Sequence, residues 1–342
     1  MTALASRRLG ASRVEVPVVG FGAASLGNLY RPVSDDDARA ALERALDCGM
    51  TYVDTAPYYG LGLSERRVGD VLRQRPRDSF VLSTKVGRLL MPDQTVYGDA
   101  ERYGFCSNLP FRPVYDYSHD GIMRSFEASL QRLGLARIDI LFVHDIGELT
   151  HGAEGNARHW RDFVEGGLRA LERLRSEGSV RAIGLGVNET AVCEKAMEVG
   201  QFDCFLLAGR YTLLEQGALE TFLPKCAEHG ASVIAGGIYN SGILATGIRE
   251  GQVPYYNYAP APDHVIDRVR QIEAICARHR VALADAALQF PLAHPQVACV
   301  IPGMGSPRRI DAAMQQHDAQ IPVALWSDLM AAQLIDHRAP VP

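Results

Sequence analysis

Short apolar segments alternate with longer amphipathic segments along the chain, and this alternation constrains the fold more than any other feature. The predicted strands are residues 16–21, 52–54, 80–85, 138–144, 182–187, 202–207, 232–235 and 297–301. They show little polar alternation, which is typical of strands that are buried on both faces. The predicted helices are residues 34–48, 121–133, 162–176, 189–199, 215–229, 263–279 and 307–316, with an extra helix at 283–292 that Pro291 interrupts.

Eight strands with interleaved helices and no break in composition predict one α/β domain over residues 1–342. The predicted fold is a single (β/α)8 barrel, the TIM barrel, with long loops after strands 3 and 7. A doubly wound open sheet is the alternative, and it normally carries a G-x-G-x-x-G turn after its first strand. The corresponding segment, Gly20-Phe21-Gly22-Ala23-Ala24-Ser25, lacks the third glycine. The sequence therefore favours the barrel.

The composition excludes several classes of protein. Hydrophobic residues make up 47% of the chain and charged residues 22%, which argues against disorder. A net charge of -5 and a pI of about 6.1 give no electrostatic reason to expect nucleic acid as a partner. No apolar run approaches the roughly 18 residues of a membrane span, and the first residues lack the apolar core of a secretory signal. We therefore expect a cytoplasmic protein that binds neither nucleic acid nor membrane.

The cysteines indicate a reducing compartment rather than a metal or disulfide framework. There are seven, an odd number, and none forms a C-x-x-C pair. This pattern is typical of free, buried thiols, and we predict no metal site.

Four polar residues lie close to the ends of three predicted strands. Asp54 ends the second strand and Tyr59 follows it, Lys85 ends the third, and His144 ends the fourth. In a parallel α/β barrel the carboxyl ends of the strands converge on one face, where ligands bind. We therefore expect Asp54, Tyr59, Lys85 and His144, named here the strand-end group, to form a proton-transfer centre.

The residue types of the strand-end group suit redox chemistry on a carbonyl or hydroxyl group. A free tyrosine has a pKa of about 10, too high for acid–base catalysis at neutral pH. A lysine ammonium beside the phenol is expected to lower that pKa, and an aspartate holds the lysine charged and oriented. A histidine can hydrogen-bond the substrate oxygen. Tyr59 would then move the proton while a hydride passes between carbon and a nicotinamide.

Two connections, residues 87–119 and 236–262, are unusually long for a compact domain, and such loops are usually functional. They are rich in aromatic residues, which suit a sugar or a flat ring but also pack loops together. These residues are Tyr97, Tyr103, Phe105, Phe111, Tyr115 and Tyr117 in the first loop, and Tyr239, Tyr255, Tyr256 and Tyr258 in the second.

The ordered motifs resemble those of the aldo-keto reductase superfamily over nearly the whole chain. The matching segments are Gly20-Phe21-Gly22, Asp54-Thr55-Ala56-Pro57-Tyr58-Tyr59-Gly60, Ser64-Glu65, Ser83-Thr84-Lys85, the strand ending at His144, Arg181-Ala182-Ile183-Gly184 and Ile301-Pro302-Gly303. The resemblance implies a TIM barrel, no metal, and a nicotinamide cofactor lying across the strand carboxyl ends. It implies a catalytic tetrad of Asp54, Tyr59, Lys85 and His144, with Tyr59 preferred over Tyr58 because it directly precedes Gly60.

Within the superfamily, the D-threo-aldose 1-dehydrogenase branch is the most similar. That branch includes L-fucose dehydrogenases and the related pyridoxal 4-dehydrogenases. The segments that carry the similarity are Gly27-Asn28-Leu29-Tyr30, residues 59–67, Val114-Tyr115-Asp116-Tyr117-Ser118, residues 184–188 and residues 239–244.

The chain departs from the superfamily pattern where the nicotinamide is held. The usual Ser-Asn pair after strand five reads Gly186-Val187-Asn188, so the serine hydroxyl is absent and the register is open by one residue. Gly236 or Gly237 replaces a stacking tyrosine, and Ala208-Gly209-Arg210 stands where a glutamine is usual. The resemblance therefore implies a ring that is held differently, with Asn188 as one contact.

The cofactor-tail segment after strand eight also departs. NADPH-dependent members often carry Pro-Lys-Ser and an arginine six residues after the lysine; here Gly303 replaces the lysine, Met304 the serine, and Arg309 keeps the arginine. The resemblance assigns cofactor contacts to Gly303, Met304, Arg308 and Arg309. Losing the lysine favours NAD, and Arg308 or Arg309 could still bind the 2′-phosphate of NADP, so NADP is possible.

These observations predict an NAD(P)-dependent dehydrogenase that oxidises an aldose of the L-fucose type at C1 to its lactone. The alternatives are a pyridoxal 4-dehydrogenase, a generic NADPH-dependent aldehyde reductase, and a cofactor-sensing subunit without turnover. The expected partner is a small molecule, either a sugar or a pyridoxal-like ring. The expected assembly is a monomer or a small homo-oligomer.

Overall fold

A closed barrel of parallel strands forms the centre of the molecule. The computed structural model describes residues 4–96, 101–106 and 108–342. The barrel strands are β1 (Phe21–Gly22), β2 (Tyr52–Asp54), β3 (Val81–Val86), β4 (Ile140–His144), β5 (Ala182–Val187), β6 (Cys204–Ala208), β7 (Ser232–Gly236) and β8 (Val297–Ile301). They pair in parallel in chain order. Bridges Val19–Val300 and Gly22–Gly303 join the first strand to the last. The predicted barrel is confirmed, and the open sheet is excluded.

Helices surround the barrel. They are α1 (Asp35–Asp47), α2 (Leu63–Leu72), α3 (His119–Leu133), α4 (Glu148–Asp162), α5 (Leu168–Ser176), α6 (Ala191–Met197), α7 (Phe222–His229), α8 (Ile243–Thr246), α9 (Asp263–Arg278), α10 (Leu283–Leu292), α11 (Pro307–Asp318) and α12 (Val323–Ala331). The start of α1 has the expected N-cap, because the Ser34 side chain accepts a hydrogen bond from the Asp37 N–H. Helix α3 ends at Gly134, which has the left-handed φ of 63°.

Only the second half of the predicted first strand lies in the barrel. Residues Glu15–Pro17 pair with Ser6–Arg8 in an antiparallel hairpin, whereas Val19 bridges Val300 and Phe21–Gly22 pairs with β2. Pro17 has no N–H to give to a central ladder, which explains why the segment divides between the hairpin and the barrel. Leu9, Val14 and Val16 pack with barrel-interior side chains such as Phe142, so the hairpin closes the end of the barrel opposite the strand carboxyl ends.

Several helix boundaries also differ from the prediction. The helix predicted at 162–176 begins at Glu148 and passes through a π-helical turn, Phe163–Gly167. Glycines at 152, 155, 166 and 167 obscure its periodicity. Helices α2, α8 and α12 were not predicted. Helix α10 has the predicted bounds, but it continues through Pro291 in its last turn and is not interrupted there.

Both long loops fold into antiparallel hairpins at the strand carboxyl ends. After β3, Arg88–Pro92 pairs with Phe111–Tyr115. After β7, Tyr255–Tyr256 pairs with Ala259–Pro260, and we call this the loop-7 hairpin. Tyr97 lies outside the described residues. The two hairpins flank the barrel mouth, so side chains from distant parts of the sequence can reach one site.

The described residues show no disulfide, no membrane-spanning helix and no metal-binding cluster. All seven cysteines are free, and six of them are buried. Across 4–96, 101–106 and 108–342, no helix combines the length and apolar character needed to cross a bilayer. In the same ranges, no three His, Cys, Asp or Glu side chains are grouped to hold a metal ion.

Candidate active site

A buried ion pair lies where β2 and β3 end. Lys85 Nζ donates to Asp54 Oδ2 at 2.7 Å and to the Thr55 carbonyl at 2.9 Å. The parallel register sets Asp54 beside Ser83, and Lys85 lies two residues further along β3, so its side chain points to the same face as that of Ser83. Ser83 Oγ donates to Asp54 Oδ1 at 2.7 Å. Burial raises the pKa of Asp54 while Lys85 opposes the rise. Both charged side chains are at most 2% exposed, so each depends on the other for compensation.

Tyr59 is held over this pair by a tight turn. Gly60 has a left-handed φ of 63°, and a Cβ on Gly27 would lie 2.5 Å from the Tyr59 carbonyl carbon. Only glycines allow the two backbones to approach so closely. Lys85 Nζ lies 4.6 Å from the centre of the Tyr59 ring. Among the described residues nothing hydrogen-bonds the Tyr59 hydroxyl, which leaves it available to a ligand.

Tyr58 occupies a different environment from Tyr59. Its ring lies against the Arg88 guanidinium, 4.0 Å from ring centre to cation carbon. It also packs edge-on against Phe105, with ring centres 5.5 Å apart. The structure therefore places Lys85 with Tyr59 and Arg88 with Tyr58, which agrees with the preference for Tyr59.

His144 completes the group at the end of β4. Its ring meets the Tyr59 ring edge-on, with centres 5.9 Å apart. Burial, Arg88 and Lys85 together hold the pKa of His144 well below its usual range. The imidazole is therefore neutral at physiological pH, with one nitrogen a donor and the other an acceptor.

The expected lowering of the pKa of Tyr59 by Lys85 is wrong. Burial raises the pKa of Tyr59 well above 10, and the negative charges of Asp54 and Asp145 add to the rise. Because Lys85 is hydrogen-bonded to Asp54, the carboxylate offsets part of the effect of the ammonium on the phenol. Tyr59 is consequently a neutral phenol at physiological pH.

Sequence reasoning missed a second ion pair beside His144. Arg88 donates to Asp145, and Arg88 is only 4% exposed. Each residue follows a predicted member of the group closely, since Arg88 comes three residues after Lys85 and Asp145 directly after His144. The sequence did carry a signal for this pair, since the opposite charges of Arg88 and Asp145 follow closely on the ends of β3 and β4. Their pairing depends on strand register, which the sequence does not show.

Asn188 lies after β5 and contacts the loop-7 hairpin. Its Nδ2 donates to the Tyr258 hydroxyl at 3.2 Å. Arg210, after β6, donates to Asn257 Oδ1 at 2.8 Å and so fastens the same hairpin. An aromatic side chain of the loop thus contacts Asn188, although β7 itself ends at Gly236 and is followed by Gly237. The next residue, Glu189, instead accepts from the Leu149 N–H at the start of α4.

The residues expected at the cofactor tail surround the start of α11. Gly303 borders open space, because a Cβ there would meet no atom within 4 Å. The Met304 side chain is buried in the core, which leaves only its backbone for a ligand. Arg308 and Arg309 are exposed, and partial burial, followed by the nearby charge of Arg31, lowers the pKa of Arg309.

This region, residues 303–309 together with Arg31, fits the phosphates of a dinucleotide. In the part of the chain that the structure describes, none of its three arginines has a carboxylate partner. An uncompensated cluster of cations beside a helix N-terminus favours an anion. The donor set suits the adenosine end of NAD(P).

Comparison with known proteins decides the family. A model of the aldo/keto reductase family matches residues 18–331. The chain belongs to this family. The resemblance found in the sequence is therefore confirmed, and the protein is an oxidoreductase. Aldo/keto reductases use NAD(P)H, which fixes the cofactor class.

Similar family members act on two kinds of substrate. The chain is 42% identical over 338 residues to a pyridoxal 4-dehydrogenase from Microbacterium luteolum, which covers 96% of this chain and 97% of that one. It is 41% identical over 330 residues to a D-threo-aldose 1-dehydrogenase from a Pseudomonas species, with 95% and 96% covered. The holo form of an aldo-keto reductase from Bacillus halodurans has a TM-score of 0.74 and 26% identity, covering 99% of this chain and 98% of that chain.

Proposed function

We propose that this aldo/keto reductase oxidises an aldose, in its cyclic hemiacetal form, at C1 to give the lactone. The strand-end group carries this proposal. A phenol to which no described residue hydrogen-bonds lies beside a compensated Lys85–Asp54 pair and a neutral His144, and such a set suits proton transfer at a hydroxyl carbon. The similarity to a D-threo-aldose 1-dehydrogenase supports the choice of substrate class.

In this reaction Tyr59 removes the proton of the anomeric hydroxyl. His144 donates a hydrogen bond that orients the same oxygen, which it can do because it is neutral and keeps one N–H. Lys85 lies close enough to the Tyr59 ring to favour phenolate as it forms, and Asp54 holds Lys85 in place. A bound nicotinamide supplies the acceptor for the hydride that leaves C1. Because the hemiacetal oxygen is already in the ring, the product is the lactone and no water is needed.

We propose NAD as the preferred cofactor, with NADP possible. Asn188 would hold the nicotinamide amide, and the backbone at Gly303 and Met304 with the side chains of Arg308 and Arg309 would hold the adenosine phosphates. Gly303 offers no cation for a 2′-phosphate, which supports the preference for NAD. The two exposed arginines remain able to bind that phosphate.

Oxidation of pyridoxal is the second candidate. Its internal hemiacetal presents the same arrangement of C–H and O–H bonds as a sugar hemiacetal. Tyr58 packs against Phe105 and Tyr103 at ring-centre distances of 5.5 Å and 6.2 Å, an aromatic wall that suits a flat ring. The 42% identical relative from Microbacterium luteolum acts on pyridoxal by name. Either substrate is consistent with a cytoplasmic enzyme that has free thiols.

Initial rates distinguish the candidates. NADH and NADPH formation would be followed at alkaline pH with L-fucose, D-arabinose, L-galactose and pyridoxal offered separately. A clear rate with the sugars and little with pyridoxal is the expected result, and the reverse would establish pyridoxal oxidation. If all four fail, reduction of methylglyoxal by NADPH would indicate a generic reductase. Cofactor binding without any turnover would indicate a sensor.

A further inference from the structure

The Arg88–Asp145 ion pair has no part in the mechanism above, although it touches the strand-end group. The Arg88 guanidinium lies between two aromatic rings, 4.0 Å from the centre of Tyr58 and 5.1 Å from the centre of Tyr115. It is 4% exposed, against 19% for the side chain of Asp145. The arginine is therefore fixed and enclosed, while its carboxylate partner reaches the cleft.

The two oxygens of Asp145 are used differently. Oδ2 accepts from Arg88 and lies 3.5 Å from His144 Nε2. No described residue donates a hydrogen bond to Oδ1. This oxygen is not buried, so it is accessible to solvent. A carboxylate oxygen beside the reaction centre is therefore free to accept a hydrogen bond from a ligand.

The backbone of Asp145 is held in an uncommon conformation. Its φ is 48°, in the left-handed region, and its N–H donates to the Gly186 carbonyl at 3.0 Å. Such a conformation in a residue other than glycine costs free energy and is found most often at functional sites. The direction of the side chain is thus set by β4, β5 and Arg88 together.

The Asp145 carboxylate lies close enough to Tyr59 and Tyr258 to act on both. Burial is the main cause of the raised pKa of each tyrosine, and the negative charge of Asp145 adds to it. Lys85 in turn opposes the rise in the pKa that burial causes at Asp145.

We propose that Asp145, held by Arg88, is a specificity-determining residue that accepts a hydrogen bond from the hydroxyl group on the carbon next to the reacting carbon. This inference rests on the proposed function, because the reacting oxygen is taken to bind at His144. With Oδ2 3.5 Å from His144 Nε2, a vicinal hydroxyl of a substrate bound there lies in the direction of the carboxylate. The substrate class is then an α-hydroxy aldehyde or its cyclic hemiacetal, as in an aldose, rather than a simple aldehyde.

The strength of the preference follows from general energetics. A substrate without the hydroxyl loses a hydrogen bond to a charged acceptor and leaves the Asp145 carboxylate without a partner. We therefore expect its kcat/KM to be lower by about 10–100-fold. If the ion pair only joined the loops after β3 and β4, removing the hydroxyl would have no comparable effect.

The test combines a substrate change with a protein change. L-Fucose would be compared with 2-deoxy-L-fucose in the wild type, in Asp145→Asn and in Asp203→Asn. Asp203 is the matched control, because it is also largely enclosed and paired with an arginine, at 2.9 Å from Arg175, but it directly precedes β6, at the amino end of that strand. Thermal unfolding and NAD binding of each variant would be measured alongside.

We expect the wild type and Asp203→Asn to prefer the 2-hydroxy sugar by about 10–100-fold and Asp145→Asn to prefer it less than about 3-fold. Equal rates for both sugars in the wild type, or an unchanged preference in Asp145→Asn, would overturn the inference. Arg88→Lys should weaken the preference in the same direction, since it keeps the charge but loses the planar contact with Tyr58.

A second substrate pair separates this inference from the proposed function. NADH-dependent reduction of lactaldehyde and propionaldehyde compares an α-hydroxy aldehyde with its deoxy counterpart without requiring sugar oxidation. If no sugar is oxidised but Asp145→Asn removes a preference for lactaldehyde, the proposed function fails and the role of Asp145 stands. If sugars are oxidised and neither pair responds to Asp145→Asn, the role of Asp145 fails alone.

Discussion

The two ends of the cleft are built in opposite ways. In the strand-end group, Lys85 and Asp54 are buried and compensate each other at 2.7 Å. Around the start of α11, Arg308 and Arg309 are exposed and have no carboxylate partner within the described residues. The first arrangement is complete before any ligand binds, whereas the second is arranged to receive one.

The difference follows from the cost of an unpaired charge. A buried charge without a partner costs several kcal/mol, so a catalytic lysine in the barrel must be paired within the protein itself. An exposed arginine remains hydrated and loses little by lacking a partner. Substitutions in the strand-end group should therefore affect both chemistry and stability, while substitutions near α11 should affect cofactor affinity alone.

The largest expected effect is on turnover. Tyr59→Phe removes the group that moves the proton, so kcat should fall by about 10²–10⁴-fold while the Kd for NAD stays within about 2-fold of the wild type. Steady-state kinetics and cofactor fluorescence measure the two quantities. Tyr58→Phe is the matched control and should keep most of kcat. Equal losses in the two variants would contradict the assignment of Tyr59.

The next effect is on stability. Lys85→Met leaves Asp54 buried without its cation, and the free energy of unfolding should fall by about 3–5 kcal/mol. Urea unfolding followed by circular dichroism measures this. Arg309→Met, which removes an exposed cation, should change the free energy by less than about 0.5 kcal/mol. Similar losses in both variants would remove the contrast between the two ends of the cleft.

The pH dependence tests the electrostatics of the strand-end group. Because the pKa of Tyr59 is raised, its phenolate forms only at high pH, and kcat/KM for oxidation should rise with pH through the alkaline range. Asp145→Asn removes one negative charge that raises this pKa, so its profile should shift to lower pH. Because the pKa of His144 is depressed, no step should appear near its usual value of about 6.5. A profile that is flat above neutral pH would contradict the role of Tyr59 as the base.

The smallest expected effect is on the choice of cofactor. Arg309→Ala should raise KM for NADP by about 5-fold, as one exposed charge–phosphate contact of about 1 kcal/mol is lost, and should change KM for NAD less. High salt screens the contact between Arg309 and the phosphate, so it should reduce the difference in KM for NADP between the wild type and Arg309→Ala. An equal change for both cofactors would show that Arg309 binds the shared pyrophosphate rather than the 2′-phosphate.

The sequence determined the barrel and the order of the strand-end group. Fully apolar runs mark strands that are buried on both faces, and their ends must share one face, so Asp54, Lys85 and His144 could be brought together without coordinates. The strand predicted at 16–21 was correct only in its second half, because an apolar run shows that a segment is buried but not which partner it pairs with.

Only the tertiary structure decided which groups from separate loops meet. The pairing of Arg88 with Asp145 depends on the register of β3 and β4, and the contact of Tyr258 with Asn188 depends on how the loop-7 hairpin folds back. The net pKa shift of Tyr59 likewise required the structure, because it is a balance of burial against several charges at particular distances. Local patterns in a sequence report periodicity and burial, whereas contacts across loops arise from the three-dimensional path of the chain.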